Sequence, residues 1–100
     1  ENLIKNKSQN SFACKVNGES MKSYGIQNGD IVILDSNSDY KKKDICAVQI
    51  DNSEISLKKI ELLKDNIKIF GDNDNFNPIT VNKDRVKIVA KMIGLIRNYK

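Results

Sequence analysis

Ile45-Cys46-Ala47-Val48-Gln49-Ile50, then Asp51-Asn52-Ser53, then Glu54-Ile55-Ser56-Leu57-Lys58-Lys59-Ile60: two runs rich in β-formers, separated by turn-forming residues, read as a β-hairpin. The pattern repeats in both directions from there. Toward the N-terminus, Ile31-Val32-Ile33-Leu34 reads as a strand opened by Asn28-Gly29-Asp30. Before it, Phe12, Cys14 and Val16 alternate with Ala13 and Lys15 at the period of a half-buried strand that Asn17-Gly18 ends. Residues 19–28 connect the two, and 36–44 form a polar loop. Toward the C-terminus, Ile67–Phe70 is a short strand, Gly71–Pro78 is an Asn- and Asp-rich surface loop, and Val86–Ile96 is one long or bent strand. No 3.6-residue apolar period persists beyond two turns. The expected fold is therefore mainly β, made of short antiparallel strands with little helix.

The bulk numbers agree with one small folded unit. A chain of 100 residues with 39% hydrophobic and 30% charged residues can bury one modest core. Residues 1–10 are Asn-, Lys- and Ser-rich and read as a linker remnant, leaving 11–100 as the domain. The chain opens on Glu1 without methionine, and a piece of something longer is expected. Its longest apolar stretches, Ile31–Leu34 and Met92–Ile96, fall far short of the ~20 residues of a membrane helix, and no basic-then-apolar leader opens the chain, so a soluble cytoplasmic protein with no membrane partner is expected. Cys14 and Cys46 are too few for a disulfide framework, and both are read as small core residues. The net charge of +4 is scattered apart from Lys41–Lys43 and the pair Lys58-Lys59. With only 6% aromatic residues to stack bases, it is weak evidence for nucleic acid.

The chemistry is bounded by an absence in the composition. The chain has no histidine, which removes Ser-His-Asp and Cys-His nucleophile systems and the common zinc sites; no metal and no cofactor are expected. A hydrolase built from this inventory needs another base. A neutral lysine can take a serine proton, and keeping an ordinary ammonium, with a pKa near ~10.4, deprotonated at pH 7 costs about 4 kcal/mol, which only extensive desolvation supplies.

Val16-Asn17-Gly18-Glu19-Ser20-Met21-Lys22, followed by Gly25-Ile26-Gln27-Asn28-Gly29-Asp30-Ile31-Val32, resembles the nucleophile region of the LexA, UmuD and phage-repressor family of self-cleaving Ser-Lys peptidases. In that family a strand ends in Gly-x-Ser-Met and Gly-Asp opens the next. Ile55-Ser56-Leu57-Lys58-Lys59-Ile60 is similar to the strand carrying the family's lysine. Phe70-Gly71-Asp72-Asn73-Asp74-Asn75-Phe76-Asn77-Pro78-Ile79 is similar to its Asn-containing loop, and Ile93-Gly94-Leu95-Ile96-Arg97-Asn98 to its last strand. Each motif alone is weak. In this order, spanning roughly Phe12 to Asn98, they are specific.

The resemblance implies a LexA C-terminal-domain-like fold and a serine endopeptidase with Ser20 as nucleophile and Lys58 as its base. The Glu19 and Ser20 backbone amides would hold the oxyanion, with Met21 and Ile60 lining the site. Strand parity puts Lys58 on a face with Glu54, Ser56 and Ile60, and Lys59 on the other with Ile55 and Leu57; Lys59 is read as a structural neighbour. The resemblance further implies a repressor that cleaves its own inter-domain linker in the SOS response, prompted by a RecA filament. It implies a homodimer paired through the C-terminal strand, near Ile88–Arg97 and read as an edge strand, and DNA contact only through an N-terminal domain outside this sequence. The family's Ala-Gly or Cys-Gly cleavage bond does not occur in these 100 residues. An inert dimerisation module and, less favoured, a signal-peptidase-like protease are the alternatives.

Overall fold

In the computed structural model the described residues are 10–37, 39, 43–72 and 77–98. Seven strands form one sheet: β1 (Ser11–Lys15), β2 (Ile31–Asp35), β3 (Lys43–Ile50), β4 (Ser56–Leu62), β5 (Asn66–Phe70), β6 (Ile79–Asn82) and β7 (Val86–Ile96). The order is β1-β2-β7-β3-β4-β5-β6, with every neighbouring pair antiparallel. Helical structure among the described residues is limited to two three-residue 3-10 turns, Lys22–Tyr24 and Lys83–Arg85. The mainly β reading holds, and the β3–β4 hairpin lies where the turn residues put it, with Asp51 at φ 54° and the Ser53 amide donating to Ile50 O at 3.0 Å.

The sheet cannot be flat. β6 and β7 stand four places apart in the strand order, roughly 19 Å in a flat sheet at about 4.8 Å per strand. Yet the single 3-10 turn Lys83–Arg85 joins them, and a segment that short spans at most about 14 Å even when fully extended. The sheet therefore coils until its β6 edge comes round toward β7. At the end where it closes, the Arg85 guanidinium forks onto the Asp51 carboxylate at 2.8 and 3.0 Å, and the Asp51 amide donates to Arg85 O at 2.7 Å.

Because the strands alternate sides, coiling creates two cores. Inside the curl lie Cys46, Val48, Ile60, Ile67, Ile69 and Val81; on the opposite face Met21, Ile26, Val32, Leu34, Ala47 and Ala90 pack together. Successive β3 residues serve them alternately, Cys46 and Val48 one and Ala47 the other, as a two-residue period requires.

Two expectations are corrected. β7 is not an edge strand: its first half pairs with β3 through Lys91, its second half pairs with β2, and the register slips at Ile93. Val/Ile richness marks burial between two neighbours as readily as an edge. Cys14 is not a core residue. Among the described residues β1 and β6 are the edge strands, and although Phe12 and Cys14 on β1 do share a side, facing Leu34 and Val32, that side opens on a groove and both are exposed. β6 carries only Ile79 and Val81 as apolar residues in a polar stretch, too short an alternation to be read from sequence. The proposed linker, apart from Asn10, and residues 73–76 of the Asn-rich loop lie outside the described residues. Among those described, no helix is long and apolar enough to cross a membrane.

Candidate active site

The Ser20 loop is pinched at its neck. The Val16 amide donates to Asp30 O at 2.7 Å and the Gly29 amide to Val16 O at 2.9 Å, while the Gly18 amide meets Asn28 Oδ1 at 2.7 Å. Gly18 adopts φ 99°, a left-handed conformation that favours glycine, and so turns the chain sharply out of β1. Met21 and Ile26, 2% and 1% exposed, then anchor the loop in the outer core like two pegs around the Lys22–Tyr24 turn. Ser20, immediately before the first peg, is left exposed.

From the other side of the molecule, β4 and β5 run antiparallel until the last ladder pair, Lys59 with Phe70. One and two residues beyond it stand Lys58 and Leu57 on β4, and Gly71 and Asp72 on the chain leaving β5. The Asp72 amide donates to Ser20 O at 2.9 Å. That single hydrogen bond fastens the Ser20 turn to the end of the ladder where Lys58 emerges. A second tie runs in parallel, with Lys59 Nζ 5.4 Å from the centre of the Tyr24 ring.

Lys58 is only 9% exposed. It lies directly opposite Cys46 and on the same face as Ile60, both completely buried. Strand parity, which sets Lys58 apart from Leu57, thus does not take it out of an apolar setting, because the sheet has a core on each side. Nζ donates to Leu57 O at 3.2 Å. Desolvation lowers the Lys58 pKa below the usual lysine value of 10.5, the direction a general base requires. Of the other two expected lining residues, Ile60 flanks Lys58 within the curl and Met21 belongs to the outer core, so they do not enclose one pocket. Among the described residues the Glu19 and Ser20 amides meet no protein acceptor, while Glu19 O closes the turn by accepting from Lys22 at 3.1 Å.

Beside Ser20 runs an open groove of about 650 Å³ whose floor is the apolar outer core face, including Val32, Leu34, Ala47 and Leu57, and whose flank is the β1 edge with Cys14. Ser20 forms part of its wall. Lys58 stands behind Leu57 rather than in the wall. The apolar floor beside an exposed strand edge has the composition that suits an extended apolar peptide segment.

Sequence reading quoted Asp30, Asp72 and Arg97 inside motifs but gave them no role. Asp30 and Asp72 are buried, and that is their signal, because a buried carboxylate is costly without partners.

An exposed serine on a tight turn beside an apolar groove, with a desolvated lysine at the adjoining strand end behind the groove wall, supplies the side chains that a serine peptidase without histidine needs. The chain belongs to the Peptidase S24-like family, which it matches over residues 1–93. It is 36% identical over 95 residues to the LexA repressor of Actinobacillus succinogenes, covering 92% of this chain and 45% of that protein. To the LexA repressor of Thermosipho melanesiensis it is 38% identical over 90 residues, covering 90% and 45%. To that of Clostridium novyi it is 36% identical over 88 residues, covering 88% and 43%. The chain spans less than half the length of these relatives, and it is a LexA/UmuD-type domain.

Proposed function

We propose that this chain is the autoproteolytic and dimerisation domain of a LexA-like transcriptional repressor, a serine endopeptidase with Ser20 as nucleophile and Lys58 as base. The observation that carries the reading is the Asp72–Ser20 hydrogen bond of 2.9 Å, which holds the serine turn at the strand end of a buried lysine. Neutral Lys58 takes the Ser20 proton as Oγ attacks the scissile carbonyl. The Glu19 and Ser20 amides receive the oxyanion, and the Lys58 ammonium returns the proton to the leaving amine. A water, deprotonated by Lys58, then releases the acyl group from Ser20.

The substrate is a linker segment of the parent protein, laid as an extended strand in the groove beside Ser20. Its cleavage separates the dimerisation domain from a DNA-binding domain and relieves repression, with a RecA filament after DNA damage as the trigger and the cytoplasm as the compartment. Dimerisation is assigned to the second half of β7, which pairs only with β2 among the described residues and leaves Ile93 and Ile96 50% and 55% exposed.

One observation favours a second reading, an inert dimerisation module: Lys58 sits behind the groove wall and spends a hydrogen bond on Leu57 O. Cleavage in trans of a peptide carrying the parent linker, at alkaline pH where lysine is neutral, separates the two. Wild type is expected to cleave, with Ser20→Ala and Lys58→Met at background. Equal rates in all three proteins overturn the peptidase reading and leave the inert module.

A further inference from the structure

Arg97 lies just past the end of β7, far in sequence from the Ser20 loop, yet its guanidinium is built into that loop. Nε donates to Asp30 Oδ1 at 2.9 Å and Nη2 to Asp30 Oδ2 at 2.8 Å, a two-pronged pairing; Nη2 also reaches Gly25 O at 2.7 Å. Asp30, 2% exposed, accepts a further bond from the Gln27 amide at 2.7 Å. One cation therefore pins both ends of the Gly25–Asp30 segment, the half of the loop that follows the Lys22–Tyr24 turn. The Arg97 pairing and the Gln27 amide hold the Asp30 carboxyl at about 2, against 3.8 ordinarily, so the pair stays fully ionised at neutral pH.

Gly25 closes the 3-10 turn through its amide bond to Lys22 O at 2.9 Å, and Lys22 in turn bonds Glu19 O at 3.1 Å. A continuous set of hydrogen bonds thus runs from Arg97 through Gly25 and Lys22 to the residue before Ser20. Arg97 is not among the residues that line the groove beside Ser20.

We infer that Arg97, acting through Asp30 and Gly25 O, is a positioning residue that sets the attack geometry of Ser20. The inference rests on the peptidase reading. It assigns a role to a residue just past the strand proposed for dimer contact, which makes the geometry of the nucleophile depend on the segment that follows β7. Only a planar fork fits: lysine restores the charge but cannot span two carboxylate oxygens and a carbonyl together. Misplacing a nucleophile by about 1 Å costs on the order of 100-fold in rate.

The test combines kinetics and hydrogen exchange on the full chain, for wild type, Arg97→Gln, Arg97→Lys, Asp30→Asn and the Arg97→Gln/Asp30→Asn double variant, well below each unfolding midpoint. The expected result is a kcat for trans cleavage lowered roughly 10- to 100-fold in Arg97→Gln. KM should stay within about threefold, because the groove floor lies on the sheet, and Arg97→Lys should recover less than tenfold. The double variant should be no slower than the worse single one, since the two residues act as one unit. Amides of 18–30 should exchange faster in Arg97→Gln while those of β3 and β4 do not. Unchanged kcat, a loss shared equally by kcat and KM, or full recovery by lysine overturns the assignment. If wild type itself does not cleave, the peptidase reading fails, and the exchange data still judge the clamp: unchanged exchange in 18–30 overturns it.

Discussion

Lys58 shows how a burial cost and a chemical capacity are one property. Its ammonium is desolvated beside Cys46 and Ile60, which lowers its pKa from the usual 10.5 and penalises folding while the amine is charged. Lys58→Met keeps the length of the side chain without the charge. It should fold to a domain at least as stable as wild type, by up to about 2 kcal/mol at pH 7, as judged by urea unfolding. The pH dependence has a definite sign. With the folded pKa depressed, the unfolded chain binds more protons above that pKa, so wild-type stability gains from this residue as pH climbs toward 10.5. The advantage of Lys58→Met should shrink over the same alkaline range, and a gap that widens there contradicts a desolvated Lys58. The two cysteines divide at the same scale. Burial pushes the Cys46 thiol up to about 11, whereas Cys14 stands exposed on the groove flank. A thiol-alkylating reagent at pH 8, followed by mass spectrometry, should label Cys14 within minutes and Cys46 only on unfolding. Labelling of both in the native protein would place Cys46 outside the core.

At the scale of elements, alternation in β4 says which residues share a side and nothing about what each side meets. Leu57 and Lys59 were as eligible for the core as Lys58 and Ile60 until β4 was paired and coiled. The structure buries both faces in part, and the even-numbered face most deeply at Ile60. Ile60→Ala should therefore cost about 3 kcal/mol in denaturant unfolding, while Ile55→Ala, at 55% exposure just before β4, should stay within about 0.5 kcal/mol. Similar costs at the two sites would mean that the curl is not closed over β4. The β3–β4 hairpin was legible because its turn chemistry is local. β6 was not, since two apolar residues amid polar ones carry no period, and the strand exists because β5 and the inner core supply its partners.

For the whole molecule, the coiled sheet sets the second half of β7 with one flank on β2 and Ile93 and Ile96 exposed. If copies join there, Ile96→Lys should raise the dimer dissociation constant at least tenfold in sedimentation equilibrium, through a charge placed in an apolar contact. Ile55→Lys, an equally exposed apolar residue elsewhere, should leave it unchanged. Equal effects, or none at Ile96, would move the interface away from β7. The same strand runs into Arg97, so the proposed dimer contact and the Ser20 loop share one element.

What the sequence by itself determined is local: strands from two-residue alternation, turns from Gly, Asn and Asp, and, through the lack of histidine, the exclusion of any chemistry that needs an imidazole base. Only the tertiary structure decided that β7 lies between β2 and β3, that β1 faces an open groove, and that Asp72 meets Ser20. It also decided that Arg97 reaches Asp30 from 67 positions away. Alternation is written into each strand by its own backbone geometry, whereas strand order and the ties between distant loops depend on which faces are buried together when the sheet coils, and no short window of residues contains that.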